Sequence, residues 1–203
     1  AAAEDLSLGE SLRILFAASL AFWLVTQVNF FDVVAYIGIL TLLTLFIQND
    51  VGMTTEQASV AVSTFTGGVT LFMFGGGFVS DRLGVRRALT LCLVGLLIGR
   101  AMLASSGTGG AMLLWGALGV MALATGILQP ALYAGVKEFT DPRAATIGYA
   151  FLYSIMNLGI MFESLASPFI RGASADTEAT VGMTRVLWAM VGVTALMLVI
   201  HLV

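Results

Sequence analysis

Gly77-Phe78-Val79-Ser80-Asp81-Arg82-Leu83-Gly84-Val85-Arg86-Arg87 is the stretch whose reading decides the fold. It sets one carboxylate, three guanidiniums and two glycines between two long apolar runs. Between membrane-spanning helices such a composition reads as a tight turn on the cytoplasmic side. Asp81 then closes the first helix, and the arginines stay in water beside anionic headgroups.

Composition supports the same setting. The 203 residues are 59% hydrophobic and only 10% charged, with a mean hydropathy of +0.99. A soluble domain carries about 25% charged residues, so the chain is read as an integral membrane protein. The formal net charge of −3 says less than the placement of the charges. The single cysteine, Cys92, lies in an apolar run and is read as a small packing residue. The single histidine, His201, is read as a surface or headgroup residue near the end of the last helix.

Working outward, residues 1–12 are polar and lack the basic start and cleavage site of a signal peptide, which predicts a short cytoplasmic tail or interfacial turn. The bundle is expected over 13–203, with spans at about 14–48, 55–80, 88–104, 111–139, 144–167 and 185–203. The first run is uninterrupted by turn signals. It would extend roughly 50 Å, against a hydrocarbon core of about 30 Å, and is read as one tilted or bent helix. Asn49-Asp50-Val51-Gly52 ends it, and Thr54/Thr55 ahead of Glu56 and Gln57 marks the next helix start. The second span is rich in Gly, Ser and Thr, and the third carries Gly95-x-x-x-Gly99, both suited to close packing in lipid. Ser105–Gly110 is read as a turn. Pro130 lies inside span four, Pro168 is taken to end span five, and a polar loop runs from Arg171 to Thr184.

Six spans put both termini on one side. With that side cytoplasmic, Arg13, Arg82, Arg86, Arg87, Lys137 and Arg143 lie inside, and only Arg171 and Arg185 outside. The fold class expected is therefore an all-α membrane protein, a six-transmembrane-helix bundle.

The opening stretch resembles the loop between helices 2 and 3 of the major facilitator superfamily, roughly G-x-L-A-D-R-x-G-R-K/R. Gly77, Asp81, Arg82, Gly84 and Arg86 match, while Val79, Ser80 and Val85 depart. Asn29-Phe30-Phe31-Asp32-Val33-Val34-Ala35-Tyr36-Ile37-Gly38 is similar to the E-x-x-E-R-F-x-Y-Y-G signature of the proton-dependent oligopeptide transporters. Gly126-Ile127-Leu128-Gln129-Pro130 resembles that family's G-x-x-K-P, and Leu152-Tyr153-Ser154-Ile155-Met156-Asn157-Leu158-Gly159 its F-Y-x-x-I-N-x-G. The resemblance implies the N-terminal half of a facilitator-type carrier in a bacterial inner membrane. Alternating access would move peptide-like or other small solutes with protons, and no cofactor is implied.

The resemblance also assigns candidate roles. Asp32 is the candidate proton acceptor; Asn29, Tyr36, Gln129, Tyr149, Tyr153 and Asn157 are candidate substrate contacts. Gly77, Asp81, Arg82, Gly84, Arg86 and Arg87 form the gating loop. The family's cations are replaced by Val33 and Gln129, so Asp32 either accepts a coupling proton or serves as a neutral carboxylic acid bonded to a neighbouring helix. A zwitterionic peptide would find no counter-charge for its carboxylate at these positions. Arg100 and Glu163 are read toward the outer parts of their spans, either as a structural ion pair or as interfacial side chains. No nucleotide loop, metal-ligand cluster or nucleophile with a base is visible, so neither an enzyme nor a nucleic-acid binder is expected. The partners expected are the lipid bilayer and a second six-helix bundle, as a separate chain or a second copy. The alternative is a transport-inactive structural subunit of a larger membrane complex.

Overall fold

The computed structural model describes residues 8–172 and 182–202. Residues 1–7 of the expected 1–12 tail, the middle of the loop after Arg171 and Val203 lie outside the described residues, and residues 8–12 belong to a helix. The rest is helical: α1 (Leu8–Phe16), α2 (Leu20–Asn49), α3 (Thr55–Leu83), α4 (Val85–Phe139), a 3-10 turn (Pro142–Ala144), α5 (Ala145–Arg171) and α6 (Met183–Leu202). Five of these helices are long and apolar enough to cross a membrane.

The longest, α4, has 55 residues, about 80 Å if straight and far beyond one bilayer. It does not run straight. Gly110 adopts φ 76°, ψ −175°, where a side chain is disfavoured, and the chain doubles back into two arms, 85–109 and 111–139. The arms are antiparallel neighbours. A Cβ placed on Gly99 would lie 2.6 Å from Met121 Cγ, one on Gly95 3.2 Å from Ala124 Cβ, and one on Gly116 3.1 Å from Met102 Cε. Six passes through the bilayer result.

Element ends depart from expectation in three places, each for a local reason. The first run is not one helix: α1 and α2 are separated at 17–19, where the Ser19 hydroxyl reaches across to the Phe139 carbonyl at 3.4 Å instead of continuing a helix. Ser105–Gly110 is not a loop, because the Ser105, Ser106 and Thr108 hydroxyls bond to carbonyls three or four residues earlier and the helix continues to the reversal. Pro168 does not end α5. Three more residues keep helical geometry after it, and the helix stops where Gly172 takes the left-handed conformation at φ 68°.

Other expectations hold. Thr54 and Gln57 form a reciprocal capping box at the start of α3. Cys92 is buried in the core. Helix ends collect at two poles: Ser19 meets Phe139 at one, while Asp50 bonds Thr184 at 3.2 Å and packs on Gly107 at the other. The expected inside cations all belong to the first pole. There Asp141 accepts from the Arg143 amide at 2.9 Å and from its guanidinium, which holds the Asp141 carboxyl below the usual carboxylate range. His201, expected at the surface, is buried at this pole, with Nε2 3.2 Å from both the Arg86 carbonyl and the Thr90 hydroxyl. An imidazole that must hydrogen-bond in an apolar setting ties α6 to the start of α4.

α3 packs chiefly on α4. Pro130 leaves the Gly126 carbonyl without its amide donor, and α3 presents Gly76 to that spot. A Cβ on Gly76 would lie 2.6 Å from Gly126 O and 2.9 Å from Ile127 Cα, and one on Gly126 2.5 Å from Phe72 Cβ. Two backbones thus meet where neither tolerates a methyl group. Gly75 and Gly77, either side, have nothing within 4 Å of such a Cβ. Gly76→Ala should therefore lower the thermal unfolding midpoint of the purified protein by the equivalent of about 1–3 kcal/mol. Gly75→Ala should leave it unchanged or slightly raised.

Candidate functional site

The buried side chains form two apolar clusters. One holds the α2 segment from Val34 to Ile47 with Leu103, Leu114–Met121 and Met183–Met190. The other holds Phe22–Val28 with Val85–Leu96, Ala124–Val136, Leu152 and Met197. Between them, near the middle of each helix, lies a layer containing Asn29, Asp32, Arg100, Thr125 and Thr194, all at most 4% exposed.

An ion pair organises this layer. Arg100 Nη2 donates to Asp32 Oδ1 at 2.6 Å, and Arg100 Nη1 donates to Thr194 Oγ1 at 2.6 Å. Thr194 in turn donates to the Met190 carbonyl at 2.7 Å. Helices α2, α4 and α6 are thereby joined through one guanidinium. Such a pair is held in place by the cost of leaving either charge alone in a low-dielectric interior. The pairing expected between Arg100 and Glu163 is thus replaced. Arg100 is close to the centre of its arm, because the arm runs to 109 rather than 104. Glu163 is instead buried against α2 and α6, its Oε1 3.2 Å from where a Gly38 Cβ would be and beside Met190.

Asp32 also faces a cleft. Its second oxygen, Oδ2, and the Thr125 hydroxyl have no hydrogen-bond partner among the described residues. Asp32, Val33, Tyr36, Val69, Met73, Thr125 and Gln129 line a cavity of about 250 Å³. The cleft therefore gathers three of the expected residues, Asp32, Tyr36 and Gln129, from α2 and the second arm of α4. Tyr36 is steadied by Phe65 of α3, ring centroids 6.2 Å apart.

The other expected contacts fall elsewhere. Asn29 is spent inside the bundle, its amide donating to the Leu152 carbonyl at 3.0 Å, so it joins α2 to α5 and does not face the cleft. Tyr153 and Asn157 are exposed on α5, with Asn157 bonding its own helix at the Tyr153 carbonyl. Tyr149 is half-buried beside Tyr133, centroids 6.0 Å apart. At the first pole Asp81, Arg82, Arg86 and Arg87 are exposed. Gly84 turns the chain at φ 77°, and the Arg82 guanidinium lies 4.2 Å over the Phe78 ring. Gly77 borders open space.

Sequence reasoning missed Thr125, Tyr133, Thr194 and the role of Arg100. Thr125, Gln129 and Tyr133 recur every four residues along α4, a stripe visible in the sequence once Gln129 is marked. Nothing local in the sequence announces Thr194. Arg100→Met is expected to destabilise the protein by about 3–5 kcal/mol through the orphaned carboxylate, and Asp32→Leu combined with it should restore most of the loss. A double-mutant cycle between Arg100 and Glu163 should give coupling within about 0.5 kcal/mol of zero.

Residues 14–203 match the profile of the Major Facilitator Superfamily. The chain is 28% identical over 154 residues to a dipeptide and tripeptide permease A of Proteus mirabilis, covering 74% of this chain and 31% of that one. The corresponding figures for the permease of the same name from Escherichia coli are 25%, 74% and 30%. The chain thus spans about a third of the length of the curated relatives it matches. Its fold is similar to that of a proton-dependent oligopeptide transporter, with a TM-score of 0.76 at 21% identity over 89% of this chain and 40% of the other. It is also similar to a bacterial homologue of the human drug peptide transporters, with a TM-score of 0.77 at 20% identity over 88% and 40%. The profile match spans nearly the whole chain, and the helical fold agrees with it: the chain belongs to the major facilitator superfamily.

Proposed function

We propose that this bundle is one half of a proton-coupled carrier that moves small polar solutes by alternating access. The observation that carries the reading is the mid-depth cleft. A buried carboxylate with one paired and one unpartnered oxygen lines this cleft with Tyr36, Thr125 and Gln129, midway through a membrane-spanning bundle where polar groups are costly to keep. Facilitator-type carriers bind solute near the midplane between two six-helix bundles that rock against each other. A second bundle, as another chain or a second copy, supplies the missing wall. Support comes from α3 and α5, the least buried of the long helices, which expose Leu71, Phe74 and Phe78, and Tyr153, Met161 and Phe162.

In this reading Asp32 takes the coupling proton. Neutralising it removes the attraction that holds Arg100, so the pair has two electrostatic states for the transport cycle to use. Tyr36 and Gln129 contact solute, with Tyr149, Tyr153 and Asn157 on the flank facing the second bundle. The Asp81–Arg87 turn latches the closed state, its carboxylate seeking a helix N-terminus on the opposite bundle. The pole carrying Arg13, Arg82, Arg86, Arg87, Lys137 and Arg143 faces the cytoplasm of a bacterial inner membrane.

One observation favours a second reading, a structural subunit of a larger membrane assembly: the Asp32–Arg100 pair is complete within this chain and excluded from solvent. Mass spectrometry of the gently extracted complex separates the two. Stoichiometric recovery with an unrelated membrane machine favours the subunit, and recovery with a second six-helix bundle favours the carrier. For the carrier, proteoliposomes holding the recovered complex should accumulate small labelled solutes when a proton gradient is imposed. Asp32→Asn, once its unfolding midpoint shows that it folds, should abolish gradient-driven accumulation. Accumulation that ignores the gradient would sink the proton-coupled reading.

A further inference from the structure

We infer that the cleft at Asp32 receives the amine-bearing end of a solute and turns away carboxylates. The inference rests on the carrier reading above and names the chemistry its half-site selects.

The charge that the cleft presents is negative. Arg100 is the cation nearest to it, and Arg100 is committed: one nitrogen is on Asp32 Oδ1, another on Thr194, and the side chain is fully buried. Arg100 is not among the residues that line the cavity, whereas Asp32 is. A group entering the cleft therefore lies against Asp32, whose buried Oδ2 has no donor among the described residues. Val33, at the position where the resembled signature carries arginine, lines the same cavity and contributes only a hydrocarbon wall.

The balance of donors and acceptors points the same way. Asp32 Oδ2 accepts only. The Thr125 hydroxyl is 3% exposed and without a partner among the described residues, so it is free to accept from a ligand. Tyr36 and Gln129 can each accept and donate. An ammonium has three donors and no acceptor, and this cavity is lined by residues that carry an unpartnered carboxylate oxygen, an unpartnered hydroxyl and the Gln129 amide. A carboxylate would instead face Asp32 at contact distance, with no free cation among the residues that line the cavity. That is the like-charge arrangement on which specificity commonly relies. The volume, about 250 Å³, lies below the usual range for a drug-sized ligand. It suits one end of a solute, and Val33, Val69 and Met73 provide apolar walls for a short alkyl stem.

The test compares two probes of the same size and opposite charge, n-propylammonium and propionate. Binding to the purified full chain in lipid nanodiscs is followed by saturation-transfer NMR and by thermal shift. Propylammonium should bind at least about tenfold more tightly than propionate. Thr125→Val, which keeps shape and removes only an unpartnered hydroxyl, should weaken the amine by about fivefold while the unfolding midpoint stays in place. Asp32→Asn should weaken it further. That variant leaves Arg100 unpaired, so its unfolding midpoint is read first, and Thr125→Val decides the matter if it unfolds. Equal or tighter binding of propionate, no binding of either probe, or amine binding indifferent to Thr125→Val would each overturn the inference. Gradient-driven uptake without amine preference would sink this inference and leave the carrier. Amine binding without any uptake by the recovered complex would do the reverse.

Discussion

The contact on which the rest of the structure depends is the guanidinium of Arg100 between Asp32 and Thr194. It sits where water is most remote, so each partner must be delivered by a helix that cannot drift. α2, the first arm of α4 and α6 are therefore fixed at mid-depth by charge and hydrogen bonding. Above and below, ordinary apolar packing fixes them. The two apolar clusters are consequences of this arrangement as much as supports for it. Each excludes water from one side of the pair, and low dielectric makes the pair strong while making any defect in it costly.

A second constraint is spatial. Helices in lipid gain little from the hydrophobic effect against one another, so close backbone approach does more of the holding. The chain achieves it with glycines at crossings: Gly76 on Gly126, Gly99 on Met121, and Gly159 against the Phe30 carbonyl. Three glycines within the family-like motifs, Gly38, Gly126 and Gly159, are close-packing positions of this kind. The motifs thus keep the geometry of the bundle even where Val33 and Gln129 have replaced ionisable groups. The same scaffold can carry a different charge arrangement because the helices are positioned by backbone contact, with a cation supplied from another helix.

Much of this is legible in the sequence because apolar run length, turn chemistry and small-residue spacing act locally. Thr54 and Gln57 cap a helix as their spacing says, and Gly95 and Gly99 pack as theirs says. What is not legible depends on meetings between distant segments. Asp32 and Arg100 lie 68 positions apart, and nothing near either names the other. Ser105 and Thr108 carry turn chemistry, yet in a helix shielded from water their hydroxyls bond backward and extend it. Asn29 shares a helix face with Asp32, and only the position of the Leu152 carbonyl shows that its amide is already occupied. Such residues are ambiguous by type: a polar group inside a membrane bundle can serve a solute or a neighbouring helix, and the decision belongs to the neighbour.

The reversal at Gly110 bears on how the protein reaches the bilayer. Because the helix persists up to the turn, the far pole offers almost no free chain between the two arms of α4. The hydroxyls nearest the turn are already tied to helix carbonyls. During synthesis the two arms can enter the membrane together as a closed hairpin, carrying few unmet hydrogen bonds across it. The segment bearing Arg100 would then arrive with its neighbour beside it, before α5 and α6 have left the ribosome. For a short interval the arginine would depend on α2, the helix that carries Asp32 and is made first, to offset its charge.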